Sequence, residues 1–197
     1  MRLLIRLFLL AAVLGVAAEL VAPSLVESQM EARVRDRTRG AVGVTADVQS
    51  FPLLTRLALT GQVRHVEMTL DEVSRERLLF ATVRYELDGV TLDRSALYRR
   101  RARVSDIDRG RIVATLEAED LAAGLGIPLD LAPGDVSARV VDRVLRLGEG
   151  AGAEISESLP QDILPCDPEA SLDAGRVILS CSFTGVPPVL KRAEAVL

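Results

Sequence analysis

The sequence predicts an α+β fold built on antiparallel sheet. Three observations predict it: long alternating runs, turn residues between them, and helical spacing confined to short stretches. Apolar and polar side chains alternate through much of residues 60–117. Val66, Met68 and Leu70 enclose Glu67 and Thr69, and Leu79, Ala81, Val83, Tyr85 and Leu87 form a second series, with Thr82, Arg84 and Glu86 between its last four members. A period of two places one set on each face of a pleated strand. Strands with one polar face belong mostly to antiparallel sheet, because parallel strands are covered on both sides.

The elements follow in chain order. Val26, Met30 and Val34 recur at four-residue steps, so Pro23 to Gly40 reads as a helix that Gly40 stops. Val42, Val44, Ala46 and Val48 then alternate as a strand. Pro52 opens a short apolar helix before Gly61. After the two long strands, Asp88-Gly89 marks a bend or turn. Arg94 to Arg103 is a basic, helical segment around Leu97 and Tyr98. Val104–Ile107 and Ile112–Leu116 flank Asp108-Arg109-Gly110-Arg111, which predicts a hairpin. Glu119–Leu125 reads as a short helix ended by Gly126. Pro133-Gly134-Asp135 predicts another hairpin, Gly148–Gly152 a flexible connection, and Val177, Leu179, Cys181 and Phe183 a last strand.

Length and composition narrow the classes. The 197 residues suit one domain plus a short appendage, and apolar residues make up 49% while aromatics make up only 3%. The interior is therefore aliphatic, which suits an acyl chain and an ordinary core equally. A net charge of −4 argues against nucleic acid as a partner. Arg2 and Arg6 precede the apolar stretch Leu7 to Ala18, the pattern of an export leader. Residues 1–18 are read as a signal peptide or signal anchor, with Ala18 the cleavage point. Residues 3–22 would otherwise tether the chain to the inner membrane. Residues 19–190 then form a single domain and 191–197 a polar tail. Cys166 and Cys181 lie symmetrically about Asp173-Ala174-Gly175, so pairing of the flanking segments brings the sulfurs together. An oxidising compartment would close that disulfide, worth about 3 kcal/mol in the chain-entropy account.

Catalytic and metal motifs are weak in this chain. Gly148-Glu149-Gly150-Ala151-Gly152-Ala153 fits a loose dinucleotide pattern but has no βαβ unit around it. Asp106, Asp108 and Glu117 have only a faint calcium-loop spacing. His65, the single histidine, alternates with Val66 and so faces the polar side, without a nucleophile motif beside it. No catalytic residue, metal ligand or cofactor is assigned. Arg99, Arg100, Arg101 and Arg103 have two readings: a contact for lipid head groups or an anionic membrane surface, or a solvated face paired with Asp93, Asp106 and Asp108.

The leader and following helix, Val48-Gln49-Ser50-Phe51-Pro52-Leu53-Leu54, then Gly61, the strand Val66–Leu70 and Tyr85-Glu86-Leu87-Asp88-Gly89-Val90 together resemble the LmeA-like phospholipid-binding family of actinobacterial envelope proteins. The resemblance is best over residues 20–120. The chain departs from it where Leu164-Pro165-Cys166-Asp167 replaces a Leu-Pro-Phe-Gly-like turn. The resemblance implies a tubular lipid-binding (TULIP-like) fold, with a long N-terminal helix wrapped by a strongly curved antiparallel sheet around an apolar channel and short helices inserted. It also implies an exported, non-enzymatic protein of the periplasm or cell envelope. Such a protein carries or presents phospholipid, phosphatidylinositol types included, at the outer face of the inner membrane for lipomannan-type lipoglycan biogenesis. Within the matched motif, Phe51, Leu53, Leu54 and Leu57 are candidate lipid contacts. The inward strand set Val66, Met68, Leu70, Ala81, Val83, Tyr85 and Leu87 is added from the alternation, and each of these touches either lipid or core. The rival readings are a ligand-free periplasmic scaffold and an enzyme acting on envelope lipids.

Overall fold

In a computed structural model, which describes residues 19, 21–29, 31–32, 41–98, 103–125, 136–149 and 154–188, the alternating segments pair into two antiparallel sheets. The larger has six strands in the order β1 (Gly43–Gln49), β2 (Gln62–Arg75), β3 (Leu78–Leu92), β4 (Val104–Glu117), β9 (Arg176–Phe183) and β8 (Glu169–Asp173). The smaller is β5 (Val136–Val141), β6 (Val144–Glu149) and β7 (Glu154–Ser158), inserted in the chain between β4 and β8. Helix α1 occupies residues 21–29, α2 Leu53–Leu59, α3 Arg94–Tyr98 and α4 Ala118–Leu125. The fold is thus mixed α+β, dominated by antiparallel sheet.

Several expectations change on contact with tertiary structure. The helix expected from Pro23 to Gly40 is short over the described residues: 21–29, with 31–32 also helical. The hairpin expected at Asp108–Arg111 does not form, and β4 runs unbroken through it. Gly110 is present for packing instead of turning, since a Cβ there would lie 2.2 Å from the Phe183 ring. The Pro133–Asp135 hairpin, Gly126 and Gly150–Ala153 lie outside the described residues. Gly148 belongs to β6 and leads into another antiparallel strand, so the glycine-rich stretch sits in no βαβ unit. The β5–β6 turn, Asp142-Arg143, lacks glycine and was not read from the sequence; both residues adopt positive φ, 50° and 64°, which matches the twist of a two-residue hairpin.

Strands β2, β3 and β4 do not keep one phase of alternation. Val63, Val90 and Ile107 are direct neighbours across the three strands and all are buried. The next inward positions are Val66, Leu87 and Gly110, three residues away and not two. The ladder is interrupted between them, at Arg64, Gly89 and Asp108. Gly89 takes φ +62°, and a Cβ on it would sit 1.9 Å from Asp108 Oδ2. A second reversal separates Leu70 and Val83 from Val73 and Phe80. Here Glu72 adopts φ 52° opposite Ala81. Consequently Leu78 and Phe80 are buried where the simple pattern expected Leu79 and Ala81, and Ala81 is half-buried. Irregularities of this kind bend a strand and raise its twist, which lets both sides of the break face one core.

The main core joins the two sheets. Leu70, Val73, Phe80, Val83, Ile112, Ala114, Leu116, Val177 and Leu179 of the large sheet pack with Leu145 and Leu147 of the small one, and with Leu159, Ile163 and Leu164 from the segment after β7. Tyr85 donates from its hydroxyl to the Ile163 carbonyl at 3.1 Å, and Arg75 pairs with Asp162 at 2.9 Å, so that segment is held over the sheet. Cys166 and Cys181 form a disulfide with Cα atoms 5.9 Å apart. The hairpin turns at Ala174-Gly175, which aligns Glu169 with Ser180. The symmetric placement expected about Asp173–Gly175 is therefore offset: Cys166 reaches β9 from the segment ahead of β8. Arg143 donates to the Cys166 and Leu164 carbonyls and secures this approach.

The Gly89 break yields a test. Gly89→Ala is expected to destabilise the fold by about 1–3 kcal/mol, through strained φ and collision with Asp108. Adding Asp108→Ala removes the carboxylate from the collision but leaves its Cβ, 2.7 Å away, and the strain, so the double variant recovers only part of the loss in urea unfolding.

Candidate functional site

An edge strand carries backbone N–H groups with no neighbour to receive them, and β1 is the edge of the large sheet. Here the acceptors are side chains of the N-terminal helix. Val48 N–H donates to Glu27 Oε1 at 2.9 Å, and Ala46 N–H to Glu31 Oε1 at 3.1 Å. The match is geometric. Four helical residues rise about 6 Å, and two strand residues about 6.8 Å. Glu19 does the same for α2. Its two carboxylate oxygens accept from Leu54 N–H at 2.8 Å, Thr55 N–H at 2.7 Å and Thr55 Oγ1 at 2.7 Å. Pro52, at the helix entry, offers no side-chain cap. Burial alone would raise the Glu19 carboxyl. The hydrogen bonds from Thr55, Leu54 and Leu53 outweigh it and hold the group below its ordinary value.

These carboxylates seat two helices on the sheet and create a second apolar cluster. Ala22, Val48, Leu53, Val63, Val66 and Val90 form it, with Val26, Leu57, Leu87, Leu92 and Val104 packed around them. Across the inward face the apolar positions stand in register. Val48, Val66, Leu87 and Gly110 make one row; Ala46, Met68, Tyr85 and Ile112 the next; Val44, Leu70, Val83 and Ala114 the third. The first row includes members of the second cluster and the third row belongs to the main core. In the middle row Met68 and Tyr85 are only half-buried, as is Leu87 beside them. Met68 and Tyr85 pack against the main core where it meets the second cluster, and each keeps part of its surface accessible, while Ala46 and Ile112 of the same row are buried. Burial, with the Asp162 carboxylate nearby, pushes the Tyr85 phenol up, against a smaller opposing pull from Arg75, so the ring is neutral.

The candidate residues divide among these surroundings. Val66, Leu70 and Val83 are buried, Leu53 is fully enclosed, and Leu57 packs against the second cluster. Phe51 and Leu54 are placed on the outer surface, 65% and 40% exposed. They cannot line an interior from there, because α2 has seven residues and its inner side is taken by Leu53 and Leu57. Arg99, Arg100 and Arg101 lie outside the described residues, and Arg103 is exposed. Asp93 accepts from Ser95 Oγ and from the Ser95 and Ala96 N–H groups at the start of α3. These bonds, with a smaller contribution from Arg103, hold its carboxyl below the usual range.

His65 has a partner that sequence reasoning missed. Its Nδ1 lies 2.7 Å from Asp88 Oδ1, and the two residues are directly opposed on β2 and β3. Strand register was the missing signal. Among the described residues no hydroxyl or thiol bonds to this imidazole, so the pair lacks the nucleophile of a triad. A surface depression at the end of β4 is lined by Glu117, Glu119, Asp120 and Gly175, and is acidic where an acyl chain needs hydrocarbon. Among the described residues no three metal-ligating side chains converge, and no helix is long and apolar enough to cross a membrane.

A model of the LmeA-like phospholipid-binding family matches residues 17–184, which include both sheets and both clusters. No curated protein and no solved structure matches the chain.

Glu19 supplies a pH test. Its carboxyl is lowered in the fold and returns to its ordinary value on unfolding. The stabilisation is therefore complete above the ordinary glutamate pKa and is lost as pH falls through the lowered native value. Thermal melts between about pH 5 and about pH 3 should fall less steeply for Glu19→Gln than for the parent.

Proposed function

Because the chain belongs to the LmeA-like phospholipid-binding family, we propose that it holds a phospholipid by its acyl chains along the half-buried strip of Met68 and Tyr85. The observation that carries this reading is the incomplete burial of Met68, Tyr85 and Leu87, neighbouring inward positions where the two apolar clusters meet. Transfer of hydrocarbon from water is worth about 0.8 kcal/mol per methylene, so two acyl chains need no specific polar contact to be retained. Leu87 and Leu57 extend the contact toward α2, while Leu53, Val66, Leu70 and Val83 form its backing; Ala81 is excluded because the phase change turns Phe80 inward in its place. The arginines at 99–101 and Arg103 receive the phosphate head group, phosphatidylinositol types included, through bidentate guanidinium contacts.

In this reading residues 19–190 are one lipid-binding domain. The chain is exported through its apolar leader and works in the periplasm or cell envelope. The Cys166–Cys181 disulfide supports an oxidising compartment. There it carries or presents lipid at the outer face of the inner membrane for lipoglycan assembly. The role is binding, with no covalent step.

Gentle purification followed by native mass spectrometry tests the proposal. The protein should carry an added mass that organic extraction identifies as phospholipid. Met68→Asp places a charge against the acyl chain and should lower the lipid-bound fraction at least about tenfold, equivalent to about 1.4 kcal/mol. Thr82→Asp, on an exposed position of β3, should leave it unchanged. Parent protein with no lipid mass would identify a ligand-free scaffold instead.

A further inference from the structure

Helix α2 is apolar on both sides, although it lies at the surface. Leu53 and Leu57 point into the second cluster. The opposite side presents Leu54, Ala58 and Leu59, with Phe51 immediately before the helix. Phe51 is 65% exposed and Leu59 69%. Five of the seven α2 residues are apolar, more than a helix with one buried side needs. The outer side of α1 continues the same surface: Val21 and Leu25, four residues apart, are both more than half exposed, and Glu19 ties the start of that helix to the Leu54 and Thr55 N–H groups. Exposed apolar side chains gathered on and beside one short helix mark a candidate interaction surface.

Three arginines flank this surface, and the one carboxylate bonded to α2 among the described residues, Glu19, is held by the Leu54 and Thr55 N–H groups and the Thr55 hydroxyl. Arg94 donates from Nη1 to the Leu59 carbonyl at 3.0 Å, which sets its guanidinium at the C-terminal end of α2. Arg56 lies in the last turn of α2, and its buried Nε has no hydrogen-bond partner. Arg64 follows on β2 and is exposed. None of the three forms an ion pair with a carboxylate among the described residues.

We propose that Phe51, Leu54 and Leu59, flanked by Arg56, Arg64 and Arg94, form a face that docks on an anionic lipid bilayer. The apolar side chains enter the boundary between head groups and acyl chains, and the guanidinium groups lie against lipid phosphates. Phe51 and Leu54 thereby take a role outside the lipid-holding strip. The proposal rests on the lipid-binding reading only for its choice of partner.

The chain contains no tryptophan, so Phe51→Trp in the full chain gives one indole reporter at the exposed position. Vesicles of phosphatidylcholine with phosphatidylglycerol should shift its emission to the blue, and brominated acyl chains should quench it. A second reporter, Val141→Trp on β5, where Val141 is 40% exposed, should respond to neither. Phosphatidylcholine vesicles alone should give a weaker response. Arg56→Glu with Arg64→Glu should cut partitioning to the anionic vesicles at least about tenfold, as surface arginines contribute additively. A blue-shifted indole before vesicles are added would overturn the proposal, because the leader or a second copy would already cover the face. An indole at position 51 that stays solvent-exposed on vesicle-bound protein would also overturn it, since the leader alone would then hold the chain there. Equal responses at both positions, or to both vesicle types, count against it in the same way. Lipid occupancy by native mass spectrometry is read separately, so failed docking with retained lipid leaves the lipid-holding strip standing.

Discussion

The outward N–H groups of β1 need acceptors, and three glutamates at the start of the described chain supply them and the cap of α2. Glu27 and Glu31 hold the N-terminal helix along the sheet edge, and Glu19 fixes α2 beside it. Those bonds position two short helices against β1–β3, with Arg94 on the Leu59 carbonyl at the far end of α2. The second cluster would lose Ala22 and Leu53, and the strand edge would be open to pairing with other chains. The division of the inward face into two packed regions, with Met68 and Tyr85 between them, follows from where these helices are seated.

The other shaping constraint is the change of phase within the strands. A run of fourteen or fifteen residues with strict alternation would present one flat apolar face. The breaks at Gly89 and at Glu72 turn later side chains back toward the same interior. One row of cross-strand neighbours, Val63, Val90 and Ile107, can therefore join the helices' cluster, while Val73 and Phe80 join the core shared with the small sheet. Bending places the densest packing at the two ends and leaves Met68 and Tyr85 less covered between them.

The aliphatic composition takes its meaning from this arrangement. In a close-packed core a leucine or valine is fixed by its neighbours. Where Met68, Tyr85 and Leu87 are only half-buried, they leave a mostly apolar surface, which suits acyl chains of varied length. The opposite end of the chemistry lies on α2, where leucines face water beside arginines. Both features follow from the excess of aliphatic residues over what two clusters enclose.

Much of this was legible in the residues. Alternation gave the strands β1, β2, β3 and β9, Pro52 gave α2, and the cysteines gave the disulfide, because these depend on local periodicity and local turn chemistry. The inward set Val66, Met68, Leu70, Val83, Tyr85 and Leu87 also came from alternation, and the register pairs its members directly: Val66 with Leu87, Met68 with Tyr85, Leu70 with Val83. What sequence could not supply were distances between residues far apart in the chain. Gly110 reads as a turn until the Phe183 ring is seen above it, His65 reads as solitary until the register brings Asp88 opposite, and Glu19, Glu27 and Glu31 read as helix surface until β1 arrives. Which leucines of the Phe51–Leu57 motif face inward was likewise undecided, because in a seven-residue helix with apolar residues on both sides only the packed neighbour determines the buried face. The sequence by itself determined the strands and the aliphatic character of their inner face. Tertiary structure alone decided which part of that face stays open, since coverage depends on the placement of elements that meet only after the chain has folded.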